Sequence, residues 1–213
     1  MKNLPFPGNS DWKRWEKGKG GSIVMIPNTE VVLAFLDKII EYPEKEIIII
    51  DDAIYLMANQ MMDDINDTGY DKWTLIADQF YRLIKKIDSL PANIRVYIMT
   101  HPDEDSNGIM KMKTVGALTD KALTPLGLFE TVLGAEYRDG KYNFITNKTR
   151  NSDPYKSPVG MFRETTIDND LSKVDRRVAK IAGIENKHIP VELNEDLTPK
   201  SWSKEQINKF WEE

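Results

Sequence analysis

The stretch Glu46-Ile47-Ile48-Ile49-Ile50-Asp51-Asp52 decides the fold class. Four consecutive β-branched residues have no alternation, so neither face of the segment is meant for water. That is the signature of a short, fully buried central strand in a parallel sheet. Pro43 bounds it on one side, and two carboxylates end it on the other.

Working outward, residues 94–100 (IRVYIMT) read as a second strand of the same kind, opened by a turn at Pro91 and Asn93. Helical spacing surrounds both. Asn28 or Thr29 caps a helix whose buried stripe is Val32, Phe35, Leu36, Ile39 and Ile40. Residues 53–66 carry Ile54, Met57, Met61 and Ile65 on one face, and Gly69 ends that pattern. Residues 71–88 carry Trp73, Ile76, Phe80, Leu83, Ile84 and Ile87. Residues 22–26 (SIVMI) read as a further short strand, 101–114 as a polar mobile loop and 116–123 as a short helix. FETVLGAEY and YNFITN flank Arg138-Asp139-Gly140-Lys141, and Asp-Gly between apolar runs is the strong hairpin signal. A loop over 148–162 and a helix over 170–182, started by Asn169 or Asp170, follow. Residues 184–200 show no periodicity, and Ser203 with Gln206 forms a capping box before Trp211. The expected architecture is a layered α/β sheet over 1–183 with a C-terminal linker and short helix over 184–213.

Composition closes several routes. Without cysteine there is no disulfide, no thiolate nucleophile and no sulfur-ligated metal. His101 and His188 are the only histidines, too few for a poly-His site. No apolar run approaches the roughly 20 residues that span a bilayer, and the N-terminus lacks the apolar core of a secretory signal. We therefore expect a cytoplasmic protein without membrane partners. The net charge of −5 gives no overall basic field for nucleic acid. Basic and aromatic residues do mix at Trp12, Lys13, Arg14, Trp15, Lys17 and Lys19, a composition able to stack on single strands. The simpler reading is two tryptophans packed on the domain.

Two strand ends carry the chemistry. An apolar strand running into Asp51-Asp52 has the Walker B pattern, in which a carboxylate on a rigid strand holds Mg²⁺ through water and the next acid polarises the attacking water. The alternative is that Asp52 simply caps the following helix. Thr100-His101 ends the neighbouring strand, where a γ-phosphate sensor sits; the alternative is a surface histidine opening a loop. His101, Asp103 and Asp105 have no known metal-ligand spacing.

With Leu4-Pro5-Phe6, the IIIIDD strand, Gly69-Tyr70-Asp71-Lys72-Trp73, Thr100-His101, Lys113-Thr114-Val115-Gly116 and Lys156-Ser157-Pro158-Val159-Gly160-Met161-Phe162 in this order, residues 1–182 resemble the phage-encoded RecA-like, AAA-type ATPases of single-strand DNA recombination and annealing. The GYDKW and KSPVGMF segments are the most specific. The resemblance implies a P-loop NTPase-type sheet and Mg²⁺-ATP as ligand. Asp51 would hold the metal, Asp52 would be the catalytic acid, and Thr100 with His101 would sense the γ-phosphate. Lys156 would contact phosphate, and Lys113 and Thr114 would face DNA or a neighbouring subunit. Single-stranded DNA, further copies of the chain, or a complementary P-loop-bearing chain are the implied partners, in a phage-infected bacterial cytoplasm.

One element of that pattern is missing. The strand, G-x-x-x-x-G-K-[S/T] loop and helix that cradle phosphates have no counterpart. Counted from Gly8, the motif's glycine and lysine fall on Lys13 and Arg14, and Trp15 stands where Ser or Thr is required. Three accounts follow: a truncated ATPase, one half of a split ATPase, or a pseudo-ATPase serving as a DNA- or subunit-binding module. A Mg²⁺ nuclease built on Asp51, Asp52 and Glu104 is the remaining alternative.

Overall fold

The computed structural model describes residues 15–16, 21–67, 69–119, 123–149 and 153–184. The LPF start, Trp12 to Arg14, Lys17, Lys19, His188 and the expected C-terminal helix lie outside them. The chain divides into two compact units, residues 26–186 and a second made of 1–25 with 187–213. In the second, the described residues are few. The Trp15 N–H donates to the Ile23 carbonyl at 2.7 Å. The strand expected over 22–26 does not form a ladder among the described residues, and Val24 and Met25 are exposed.

The larger unit is α/β, as the apolar runs imply. Helix α1 (Thr29–Lys38) starts at Asn28, whose Oδ1 accepts the Val31 N–H at 3.1 Å. Val32, Leu36 and Ile39 are buried, but Ile40 falls in a 3₁₀ turn (Ile39–Glu41) that rotates it into solvent. Strand β1 (Ile47–Ile50) follows, then α2 (Ile54–Asp63), α3 (Asp71–Asp88) and β2 (Arg95–Ile98). β1 and β2 pair in parallel, Ile47 opposite Arg95 through Ile50 opposite Ile98.

Helices lie on both faces of this pair. Ile48 and Ile50 join a core formed by Leu36, Met57, Ile76, Phe80, Leu83 and their neighbours on α1, α2 and α3. Phe80 and Leu83 are essentially inaccessible, each worth about 1.5–3 kcal/mol of burial. Glu30–Arg82 at 3.0 Å and Asp37–Lys86 tie α1 to α3 at the surface. On the opposite face, helix α4 (Leu171–Ile181) covers Tyr97 of β2 and leaves Ile49 of β1 46% exposed. The expectation of a fully buried central strand is therefore corrected: β1 has β2 as its one ladder partner among the described residues, and one of its faces is only partly covered.

The segment 101–114 is not a loop. Strands β3 (Pro102–Glu104) and β4 (Met110–Met112) pair antiparallel. The Asp105 carboxylate closes the hairpin by accepting the Asn107 and Ile109 N–H groups at 2.8 and 2.9 Å, and Gly108 adopts φ +77°. Helical residues begin at 117 as expected, with 120–122 outside the described residues. The strand expected from Phe129 begins only at Gly134. β5 (Gly134–Arg138) and β6 (Lys141–Ile145) form the expected hairpin, with Asp139 and Gly140 both at positive φ, as a type I′ turn requires. A third strand that the sequence did not announce, β7 (Thr166–Asp168), pairs with β6. α4 then starts at Asp170, whose Oδ1 accepts the Ser172 N–H at 2.9 Å. The single layered sheet is thus resolved, among the described residues, into three small ones ordered β1-β2, β3-β4 and β5-β6-β7.

Candidate functional site at two parallel strand ends

The parallel register puts the acidic and the polar strand end at the same end of the β1–β2 pair. The Met99 N–H donates to the Ile50 carbonyl and the Ala53 N–H to the Met99 carbonyl, both at 2.9 Å. These bonds carry the pairing past the strands and hold Asp51-Asp52 beside Thr100-His101. His101 Nε2 lies 3.2 Å from Asp52 Oδ1. That oxygen is buried and accepts no hydrogen bond, and the Thr100 hydroxyl is likewise buried without a partner. Asp51 is exposed.

Asp52 has two further marks of a site residue. Its backbone is left-handed, φ +57°, which Asp tolerates better than most residues but which still stores strain. It also does not cap α2: the N-cap is Ala53, with no side-chain hydrogen bond. The capping alternative is removed, which leaves the carboxylate turned to His101.

The other sequence-nominated residues stand apart. The Lys113 N–H donates to the His101 carbonyl at 2.9 Å, so the KTVG segment starts beside the histidine. Gly116, at φ +88°, packs its α-carbon on Trp73: a β-carbon there would come within 2.8 Å of the indole. The KTVG and GYDKW segments therefore meet through a packing contact. Lys156 pairs its backbone with Val132 in both directions, at 2.8 and 2.9 Å. Ser157 Oγ donates to Asn147 Oδ1 at 3.2 Å. A tight turn closed by the Met161 N–H on the Pro158 carbonyl follows, and Met161 and Phe162 plug into the core under α4. No hydrogen bond or ion pair among the described residues joins Lys156 to Asp52 or His101. Asp103 lies 3.9 Å from Lys111, Asp105 serves the hairpin turn, and no three His, Asp or Glu side chains converge among the described residues. That leaves the nuclease alternative without a cluster of carboxylates.

Sequence reasoning missed a buried network on β2. Arg95 forms a two-pronged ion pair with Asp175 of α4, Nε–Oδ1 2.6 Å and Nη2–Oδ2 3.1 Å. The Tyr97 hydroxyl donates to Asp175 Oδ1 at 2.7 Å, and Glu46 lies 3.9 Å from Arg95. The hydrogen bond to Asp175 holds the guanidinium above its usual range. Burial first, then the bond to Asp175, pushes the Tyr97 phenol far up. The only sequence sign was an arginine at the head of an apolar strand. Along the outer edge of β2 runs a cavity of about 630 Å³, with Thr100 and His101 in its lining.

Compared with protein-family models, curated proteins and solved structures, the chain matches none. No helix of the described residues is long and apolar enough to cross a membrane.

Proposed function

We propose that this chain is the acidic, water-activating part of a RecA-like nucleotide site, an ATP-binding or ATPase-type protein of phage DNA recombination or single-strand annealing that is incomplete as an isolated chain. The observation that carries the reading is the pairing of the two strand ends, with Asp52 Oδ1 buried 3.2 Å from His101 Nε2 and the Thr100 hydroxyl buried without a hydrogen-bond partner.

Two neighbouring carboxylates fit Mg²⁺, which keeps most of its waters and takes one or two carboxylates besides phosphate oxygens. When bound, the ion would neutralise charge developing on a phosphoryl group. Asp51, exposed at the strand end, would hold its water shell. Asp52 would accept a proton from a water, and His101, 3.2 Å away, would fix that carboxylate. Thr100 has a hydroxyl to donate to an anionic oxygen. A phosphate cradle is a different matter. The described residues contain no glycine-rich turn between a strand and a helix, so a complementary P-loop-bearing chain or segment must hold the nucleotide itself.

A second reading, a pseudo-ATPase that binds single-stranded DNA or active subunits without turnover, is favoured by that missing cradle. Titrating the purified chain with Mg²⁺-ATP, with and without single-stranded DNA and against Asp51→Ala, separates the two. Binding lost in Asp51→Ala supports the nucleotide site. No binding at millimolar Mg²⁺-ATP removes it from the isolated chain, and salt-sensitive DNA binding indifferent to ATP then supports the second reading.

A further inference from the structure

The cavity beside β2 is bounded by two open strand edges. The Arg95 and Met99 N–H groups face β1, so by alternation the N–H and C=O groups of Val96 and Ile98 point the other way. They have no backbone partner among the described residues. β5 is the edge strand of its sheet. The Thr146 and Asn169 N–H groups bond to the Thr165 and Tyr142 carbonyls, which turns the even-numbered residues of β6 toward β7 and the odd ones toward β5. Gly134, Glu136 and Arg138 therefore face β6, and the backbone of Ala135 faces outward. Val96, Ile98 and Ala135 all line the same cavity, with Met112, Phe129 and Val174 among its apolar walls.

We infer that this cavity is a strand-acceptor slot, filled by an apolar β-strand from a partner polypeptide outside these 213 residues. A β-strand presents alternating N–H and C=O groups on both sides, and so pairs with β2 and β5 at once. It would join the β1–β2 pair and the β5–β6–β7 sheet into one. The length of β2 sets the insert at about four or five residues, roughly 13–17 Å. Walls on both faces require it to be apolar throughout. The chain's own segments outside the described residues contain no run of four apolar residues, and the described run Ile23–Ile26 is held at both ends, by the Trp15 N–H on the Ile23 carbonyl and by Ile26 packed on the α1–α3 core, which places the donor elsewhere. Unpaired edges are the known templates for such addition. The inference stands on the slot alone and holds whether or not the strand ends bind phosphate.

The test uses the full chain and a fluorescent peptide with a Val-Ile-Val-Ile-Val centre between lysine flanks. A second peptide is N-methylated at alternate central amides, which abolishes pairing along one edge. The protein variant is Ile98→Pro, which removes an outward N–H and spares the ladder to β1. We expect saturable binding, weakened about tenfold or more by N-methylation and by Ile98→Pro. The Val96, Ile98 and Ala135 amides gain exchange protection on binding, and Mg²⁺-ATP changes none of this. If Ile98→Pro does not fold, the N-methylated peptide decides. Absence of saturable binding to the folded chain overturns the inference. So does equal binding of both peptides, which is mere apolar adhesion. A concentration-dependent dimer that excludes the peptide also overturns it, because a second copy of this chain then fills the slot.

Discussion

Replacing Asp175 by asparagine keeps the shape of the side chain and removes its charge. Arg95 is 6% exposed and Asp175 3%, so the guanidinium is left charged with no water to take over. Breaking a buried pair from one side costs about 3–5 kcal/mol. The Tyr97 hydroxyl keeps an amide oxygen to bond, which holds the cost within that range. For a chain of this length each kcal/mol lowers the melting midpoint by about 2–4 °C, so Asp175→Asn should melt about 6–20 °C below the parent. Urea titration gives the same quantity as a shift in midpoint at unchanged slope. The paired change Arg95→Met with Asp175→Leu removes the charge pair but takes the acceptor from the Tyr97 hydroxyl and the guanidinium from beside Glu46, so it should recover only part of the loss. A single-variant loss below about 1 kcal/mol would show that water reaches the pair, and the account of α4 as clamped onto β2 by charge would fail.

Three further outcomes follow from the structure. Gly116→Ala must both accept a left-handed backbone and push the Trp73 ring aside; we expect a loss of about 2–4 kcal/mol by denaturant titration, and a neutral substitution would mean the indole is not seated there. Leu83→Ala, at the centre of the α1–α3 core, should cost about 2–5 kcal/mol, with a loss under 1 kcal/mol counting against that core. The Ile109 and Asn107 N–H groups hold the Asp105 carboxyl below the usual carboxylate range. A depressed folded value means the turn's stabilisation is full above the unfolded value of about 3.9 and is lost as pH falls through the lower folded one. The Ile109 amide shift should therefore titrate with a midpoint below about 3.9, and a midpoint at or above it contradicts the bonds.

What could be read from the sequence was local. The IIII run, the RVYI run, the stripe of α3 and the Asp-Gly turn each contain their own cause, and each forms where expected. What could not be read depends on partners far along the chain. The exposure of Ile49 follows from where α4 lies, and Arg95 meets Asp175 across 80 positions. β7 is three residues long and exists because β6 offers it an edge. The β3–β4 hairpin was hidden by its charge, although Asp105 and Gly108 were there as turn residues. At the candidate site, the four strand-end residues were legible, but the approach of His101 to Asp52 required the parallel register. SIVMI has the composition of a strand, but a strand also needs a neighbour, and none pairs with it in a ladder among the described residues.

The parallel pairing of β1 with β2 also sets an order of assembly. β3 and β4 close a loop of six positions, Glu104 to Met110, whereas Ile47 meets Arg95 forty-eight positions on. That is three doublings of loop length, at about 0.6 kcal/mol of closure entropy each. Non-local pairing of this kind is slow. Helices α2 and α3, which lie inside the loop, shorten it once they dock. The strand-end carboxylates and the Thr100-His101 pair are thus brought together only at a late step, after the helical layer has condensed, and a pulse-labelling experiment should find the Met99 and Ala53 amides among the last to gain protection.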